Sequence, residues 1–187
     1  MKKLKAFKFE CQACGTCCRW GGYAVVYPDD FKNITEFLKI DPQEFADKYC
    51  RLVLVEYADE EEILTVPYLL LKRGEDGCIF LDGKRCGIHE VKPYQCERAP
   101  MLAEFLLDEP GYDSFHEHCV GIGKGHEYSI AEQKKSLAEQ NLKDDKYENL
   151  LEENNWDLEK ILNVKLPEPE HIDYCGVLIE SEEVEEA

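Results

Sequence analysis

No apolar run in this chain of 187 residues approaches the roughly 20 residues that span a bilayer, so no membrane helix is expected. The opening Met1–Glu10 carries positive charge without an apolar stretch, which argues against a secretory signal peptide. Catalytic signatures are missing too. There is no G-x-G-x-x-G loop, and Gly121-Ile-Gly-Lys-Gly125 lacks the Walker order of glycine, lysine and hydroxyl. No Ser–His–Asp order and no pair of carboxylates can be argued from spacing, and no internal repeat is visible. Basic residues are scarce: 22 lysines and arginines face 40 aspartates and glutamates, a net charge of −18 that disfavours nucleic acid and anionic membranes as partners. The imbalance is uneven, because residues 144–187 hold 15 acidic and 3 basic side chains. Such a like-charge block reads as a solvated acidic tail.

Cysteine is what the chain has in quantity, with ten in all. Cys11-Gln-Ala-Cys14-Gly-Thr-Cys17-Cys18 places four thiols in eight residues at the spacing C-x-x-C-x-x-C-C. Two-residue spacings let successive thiolates turn inward onto one soft metal or cluster. Gly15 suits a chain that wraps so tightly. Cys17 and Cys18 are adjacent, and in an extended chain their side chains point opposite ways, so one serves a second centre or stays unligated. Cys78, Cys86, Cys96 and Cys119 follow among turns, prolines and glycines, which makes eight candidate ligands for one centre with reserves or for two four-thiolate centres. His89, His116 and His118 lie close enough in sequence to be alternate ligands or polar neighbours of the site. Cys50 and Cys175 stand in expected regular structure without thiol neighbours and read as packing residues. A disulfide framework would also cluster cysteines, but such scaffolds are mainly small and secreted. The expected compartment is the cytoplasm, where reduced thiols ligate metal.

The rest of the chain predicts an α+β fold, a small irregular metal-stabilised domain with short β-hairpins, surrounding helices and a C-terminal helical segment. Tyr23–Tyr27 reads as a strand, and Asp29 and Asp30 as caps of a helix burying Phe31, Ile34, Phe37 and Leu38. Asp41-Pro42-Gln43-Glu44 opens a helix to about Tyr49. Leu52–Val55 and Ile63–Val66 flank an acidic turn as a hairpin, and Pro67 marks a strand end or a sheet edge. Asp82-Gly83 suits the turn of a tight hairpin that brings Cys78 and Cys86 together. Ser129-Ile-Ala-Glu132 is a capping box for a helix to about Leu142, with another helical turn near Tyr147–Leu151 and a short helix at Trp156–Leu162. Tyr174–Ile179 suits a last strand, and Glu180–Ala187 is expected to be disordered. The division is a cysteine-cluster metal-binding domain over residues 1–128 and an acidic helical extension over 129–187 that packs on it.

The opening cluster, the block Cys86-Gly-Ile-His-Glu-Val-Lys-Pro93-Tyr-Gln-Cys96-Glu-Arg-Ala-Pro100, and Cys119 followed by Gly121-Ile-Gly123 together resemble the YkgJ-type cysteine-cluster family over residues 9–125. The resemblance implies a zinc- or iron-chelating domain. His89 stands at an aromatic position of the family pattern, Lys92 and Glu97 at its two arginines, and Ala99 at its phenylalanine, while Arg98 is displaced by one. A branch resembling this family methylates lysines of flagellin with additional chain that has no counterpart here. On spacing alone, three thiols at C-x-x-C-x-x-C with a remote fourth are closer to ligation of a [4Fe–4S] iron–sulfur cluster, and Zn2+ is the alternative. Three functions stay open: a metal-binding protein passing electrons or metal to a protein partner, a metal-dependent redox or methyl-transfer enzyme, and an interaction module with a structural zinc.

Overall fold

The described residues, 4–19, 23–58 and 63–173 in this computed structural model, form an α+β mixture of many short elements. β1 (Phe7–Phe9) enters the cysteine run, and α1 (Thr16–Arg19) is a single turn within it. α2 (Pro28–Leu38) and α3 (Pro42–Tyr49) lead to the two long strands, β2 (Cys50–Ala58) and β3 (Ile63–Leu71). Two miniature hairpins follow: β4 (Arg73–Gly74) with β5 (Gly77–Cys78), then β6 (Leu81–Asp82) with β7 (Arg85–Cys86). A 3-10 turn at His89–Val91 precedes α4 (Tyr94–Arg98), α5 (Ala103–Leu106) and α6 (Glu109–His118). The order ends with β8 (His126–Tyr128), α7 (Ile130–Glu153), α8 (Leu158–Leu162) and β9 (Glu170–Asp173).

The main sheet has the order β3-β2-β9, antiparallel from Cys50↔Leu71 to Ala58↔Ile63 and parallel where β9 joins β2. The hairpin is therefore longer than the apolar runs suggest, and its turn, Asp59–Glu62, lies outside the described residues. Pro67 sits inside β3 opposite Leu54, and β3 is the sheet edge, where a residue without an N–H is tolerated. The main core fills the space between this sheet, α2, α3, α7 and α8, with Ile34, Phe45, Val66, Leu69 and Leu151 all fully buried. Each such side chain contributes about 1.5–3 kcal/mol by leaving water. A smaller cluster of Phe7, Met101 and Leu106 lies under β1 and β8, which pair as Phe7↔Tyr128 to Phe9↔His126.

Several elements differ from expectation for identifiable reasons. Tyr23–Tyr27 makes only one bridge to β3, Val25↔Leu70, with Val26 N–H donating to Leu69 O at 2.8 Å. Pro28 takes the first helical position of α2 and cuts that segment short. Asp30 is inside the helix rather than its cap: its carboxylate accepts from Tyr27 N at 3.2 Å and from Tyr94 N at 3.3 Å. Phe31 and Ile34 are buried as expected, but Phe37 is 41% exposed. α7 does not stop near Leu142. It runs on to Glu153, because residues 130–153 contain neither glycine nor proline. Its Ser129–Glu132 capping box is present, with Glu132 N donating to Ser129 Oγ at 3.2 Å and Ser129 N to Glu132 Oε2 at 2.8 Å. The helix is tied to both clusters, through Ser136 Oγ donating to Met101 O and Tyr147 Oη donating to Pro67 O. The strand expected at Tyr174–Ile179 and the tail Glu180–Ala187 lie outside the described residues.

Candidate metal centre

Close spacing of cysteines demands a chain that turns back on itself, and the backbone does so at Ala13 and Gly15, with φ of 46° and 74°. Glycine takes such a value freely; alanine does so at a cost of about 1–2 kcal/mol. Next, α1 carries Cys17 and Cys18 on one helical turn. Adjacent residues on a helix diverge by roughly 100°, not the 180° of an extended chain. The pair therefore does not point in opposite directions, and the two thiols are hydrogen-bonding neighbours.

The second delivery is made by the two small hairpins. Gly77 has φ +124°, and a Cβ there would stand 2.4 Å from Cys18 O and 2.9 Å from Arg19 Cα, so only glycine lets β5 lie against α1. Cys78 follows directly. Arg19 reinforces the contact by donating to Gly83 O and, at 3.3 Å, to Cys14 O. Cys86 pairs with Leu81 across a Gly83-Lys84 turn, one residue later than the Asp82-Gly83 turn expected, while Cys78 pairs with Arg73 in the preceding hairpin. The two thiols still act on each other electrostatically, through two hairpins rather than one.

α4 supplies Cys96. It is held by Gln95 Oε1, which accepts from Val25 N at 2.9 Å, and by the Tyr94–Asp30 contact described above. The C-cap of α6 supplies Cys119, whose N–H donates to Phe115 O at 2.9 Å and whose carbonyl accepts from Ile122 N at 3.1 Å. Gly123 N donating to Lys8 O and Glu10 N donating to Gly121 O sew the segment after Cys119 to the strand before Cys11.

All eight thiols, Cys11, Cys14, Cys17, Cys18, Cys78, Cys86, Cys96 and Cys119, line one cavity of about 220 Å³. Burial raises the Cys78 thiol and the Cys119 thiol, and pushes Cys96 up to about 12. Cys96 presents surface to the cavity, yet protein crowds its sulfur, and it is this crowding that governs its ionisation. Cys14 is lowered, chiefly by the Thr16 hydroxyl 3.2 Å from its sulfur, which can donate to the thiolate. Within the pair, the Cys18 thiol donates to Cys17 and lowers it, and the same bond raises Cys18. Cys17 lies within electrostatic reach of Cys14, Cys18, Cys78, Cys96 and Cys119. Cys17 thus stands at the junction of the set.

The sulfurs rim a space and do not meet at a point: among the described residues, no three His, Cys, Asp or Glu side chains form a ready group for one ion. The space is many times the ~10–15 Å³ that a water needs, so it suits a multi-atom group or more than one ion. Of the histidines, only His89 lines it. His116 stacks on Tyr112 at 3.8 Å, and the His118 ring bonds to Ser114 O at 2.9 Å within its own helix. Cys50 is fully buried among apolar residues of the main core, with its thiol pushed up to about 12 by that burial, and Cys175 lies outside the described residues. Sequence reasoning missed Arg19 and Thr16, and it reads Gly77 only as the end of a loop that delivers Cys78.

No solved structure matches the chain. A family model, CxxCxxCC, described as a putative zinc- or iron-chelating domain, matches residues 10–120, a span that begins one residue before Cys11 and ends one after Cys119.

Proposed function

The chain belongs to the CxxCxxCC family of zinc- or iron-chelating domains, and from that membership we propose that its cavity holds iron as an iron–sulfur cluster through Cys11, Cys14, Cys17, Cys18, Cys78, Cys86, Cys96 and Cys119. One observation carries the reading: four stretches separated by up to about a hundred residues direct eight soft donors to a single cavity. The donor set fits the group, since thiolates select zinc and iron–sulfur clusters over hard cations. The cavity is larger than one ion needs, which favours a cluster over mononuclear zinc. An iron–sulfur cluster supplies one-electron redox chemistry, tuned by hydrogen bonds to sulfur and by exposure. The chain's own groups prepare for it. Thr16 stabilises the Cys14 thiolate, and Cys18 stabilises the thiolate of Cys17.

In this reading residues 1–128 are the cysteine-cluster domain, residues 129–187 an acidic helical extension packed on it, and the function is transfer of electrons or metal to a protein partner in the cytoplasm. The test is anaerobic purification of the full chain with metal analysis and an absorption spectrum. A brown protein absorbing near ~400 nm with iron and sulfide is expected. A colourless protein with stoichiometric zinc replaces the cluster with a zinc site.

A further inference from the structure

The molecule as a whole is strongly acidic, yet the thiol cavity is lined by Lys72, Arg73, Lys84 and Lys92 against only two carboxylates, Glu97 and Glu104. Ion pairs such as Arg51–Glu170, Arg98–Glu139 and Lys143–Asp29 lie elsewhere. Lys72 lines the cavity with its chain, but its Nζ donates to Asp47 O on α3 at 2.6 Å, so its charge sits away from the thiols. Among the described residues, no carboxylate lies within ion-pair distance of Lys84 or Lys92. Lys84 is exposed at a hairpin tip, and Lys92 is close enough to Cys17 and Cys96 for its charge to act on both.

Apart from the sulfurs themselves, the fixed charges of this rim are mainly positive and suit an anionic carrier. At physiological salt the field of the acidic remainder is screened beyond ~8 Å, so the charges inside the cavity govern what enters it, and low-dielectric walls concentrate their effect. Their placement among the lining residues also limits the size of the anion: 220 Å³ admits a small molecule, not a protein surface.

Resting on the metal-binding reading above, we propose that the cavity takes its metal from a small polyanionic chelate, with Lys84 and Lys92 holding the carrier's anionic groups while the metal passes to sulfur. The exchange balances as a ligand substitution. Metal–oxygen bonds of the carrier break, metal–sulfur bonds form, each ligating thiol releases its proton to solvent, and the carrier leaves as the free anion. No electron is transferred.

The experiment loads metal-free, reduced full-length protein with zinc from two sources, the anionic citrate complex and the hydrated ion, and follows uptake rates by zinc content after rapid desalting. Wild type is compared with Lys84→Glu/Lys92→Glu and with a control, Lys146→Glu/Lys160→Glu, placed on α7 and α8. The cavity variant is expected to load about tenfold more slowly from citrate, with uptake from the hydrated ion unchanged or faster. Wild-type uptake from citrate is expected to slow in about 1 M salt, where the screening length is ~3 Å. That second measurement stands even if the variant fails to fold. Equal slowing from both sources would mean that the lysines only neutralise bound thiolates and would overturn the proposal, as would rates from citrate that respond to neither charge reversal nor salt. Wild type that retains zinc from neither source overturns this proposal, and it overturns the metal reading as well only if the anaerobically purified protein also carries no iron and sulfide.

Discussion

Gly77 decides how closely the N-terminal thiols approach the later ones. Its φ of +124° and the 2.4 Å that would separate a Cβ from Cys18 O both act against any side chain. Gly77→Ala is expected to destabilise the fold by at least about 1–3 kcal/mol and to lower bound metal, as read by denaturant midpoint and metal analysis. Gly74→Ala, three residues away with open space around it, should leave both unchanged. The cysteines divide in the same way. Cys14→Ala removes a thiol whose ionisation Thr16 favours and should abolish or sharply reduce metal content. Cys50→Ala removes a fully buried sulfur from the apolar core, so it should cost about 1 kcal/mol of stability, comparable to deleting one methyl group, and leave metal content intact. Equal metal loss in the two variants would undo the ranking.

α7 is the element that joins the two apolar clusters, and its start is held by a reciprocal cap. Replacing Ser129 by alanine should cost about 1 kcal/mol without changing metal content. The cap also predicts a pH dependence. The Ser129 hydroxyl and N–H, with His126, hold the Glu132 carboxyl down at about 2. A depressed carboxylate contributes stability above its unfolded value, near ~4.3, and loses that contribution as pH falls through the folded value. Wild type should therefore exceed Glu132→Gln in stability at neutral pH, and the two should converge as pH approaches about 2, as followed by thermal unfolding across that range.

At the scale of the whole molecule, the thiol cavity and the main core have different supports. Around the cavity stand one-turn helices and two-residue strands, elements too short to persist without something that binds them together. The β2–β3 hairpin, α2, α3 and α7 rest on buried aliphatic and aromatic side chains. Stripping metal should therefore loosen residues 10–19, 72–100 and 119–125, while amide protection persists in β2, β3 and α7. The loosening should not extend to the strands and helices between Pro28 and Leu71, which carry their own core. Hydrogen exchange with and without chelator reads the difference, and unchanged protection around Cys14 and Cys86 after verified metal loss would defeat it.

Sequence by itself determined what is local. The capping box at Ser129, the Asp41–Pro42 helix start and the wrap at Gly15 each rest on interactions within a few residues, so residue type and spacing suffice. The thiols that now line one cavity were legible for the same reason, each marked by a nearby turn, proline or glycine. Tertiary structure alone decided how they are grouped. The seating of the Cys78 hairpin against the Cys17–Cys18 turn and the gathering of Lys84 and Lys92 around the sulfurs depend on partners tens of residues away. Contacts across such separations are set by how whole elements pack, with Gly77 against α1 as the instance that matters most here, and no short-range pattern in the chain encodes that geometry.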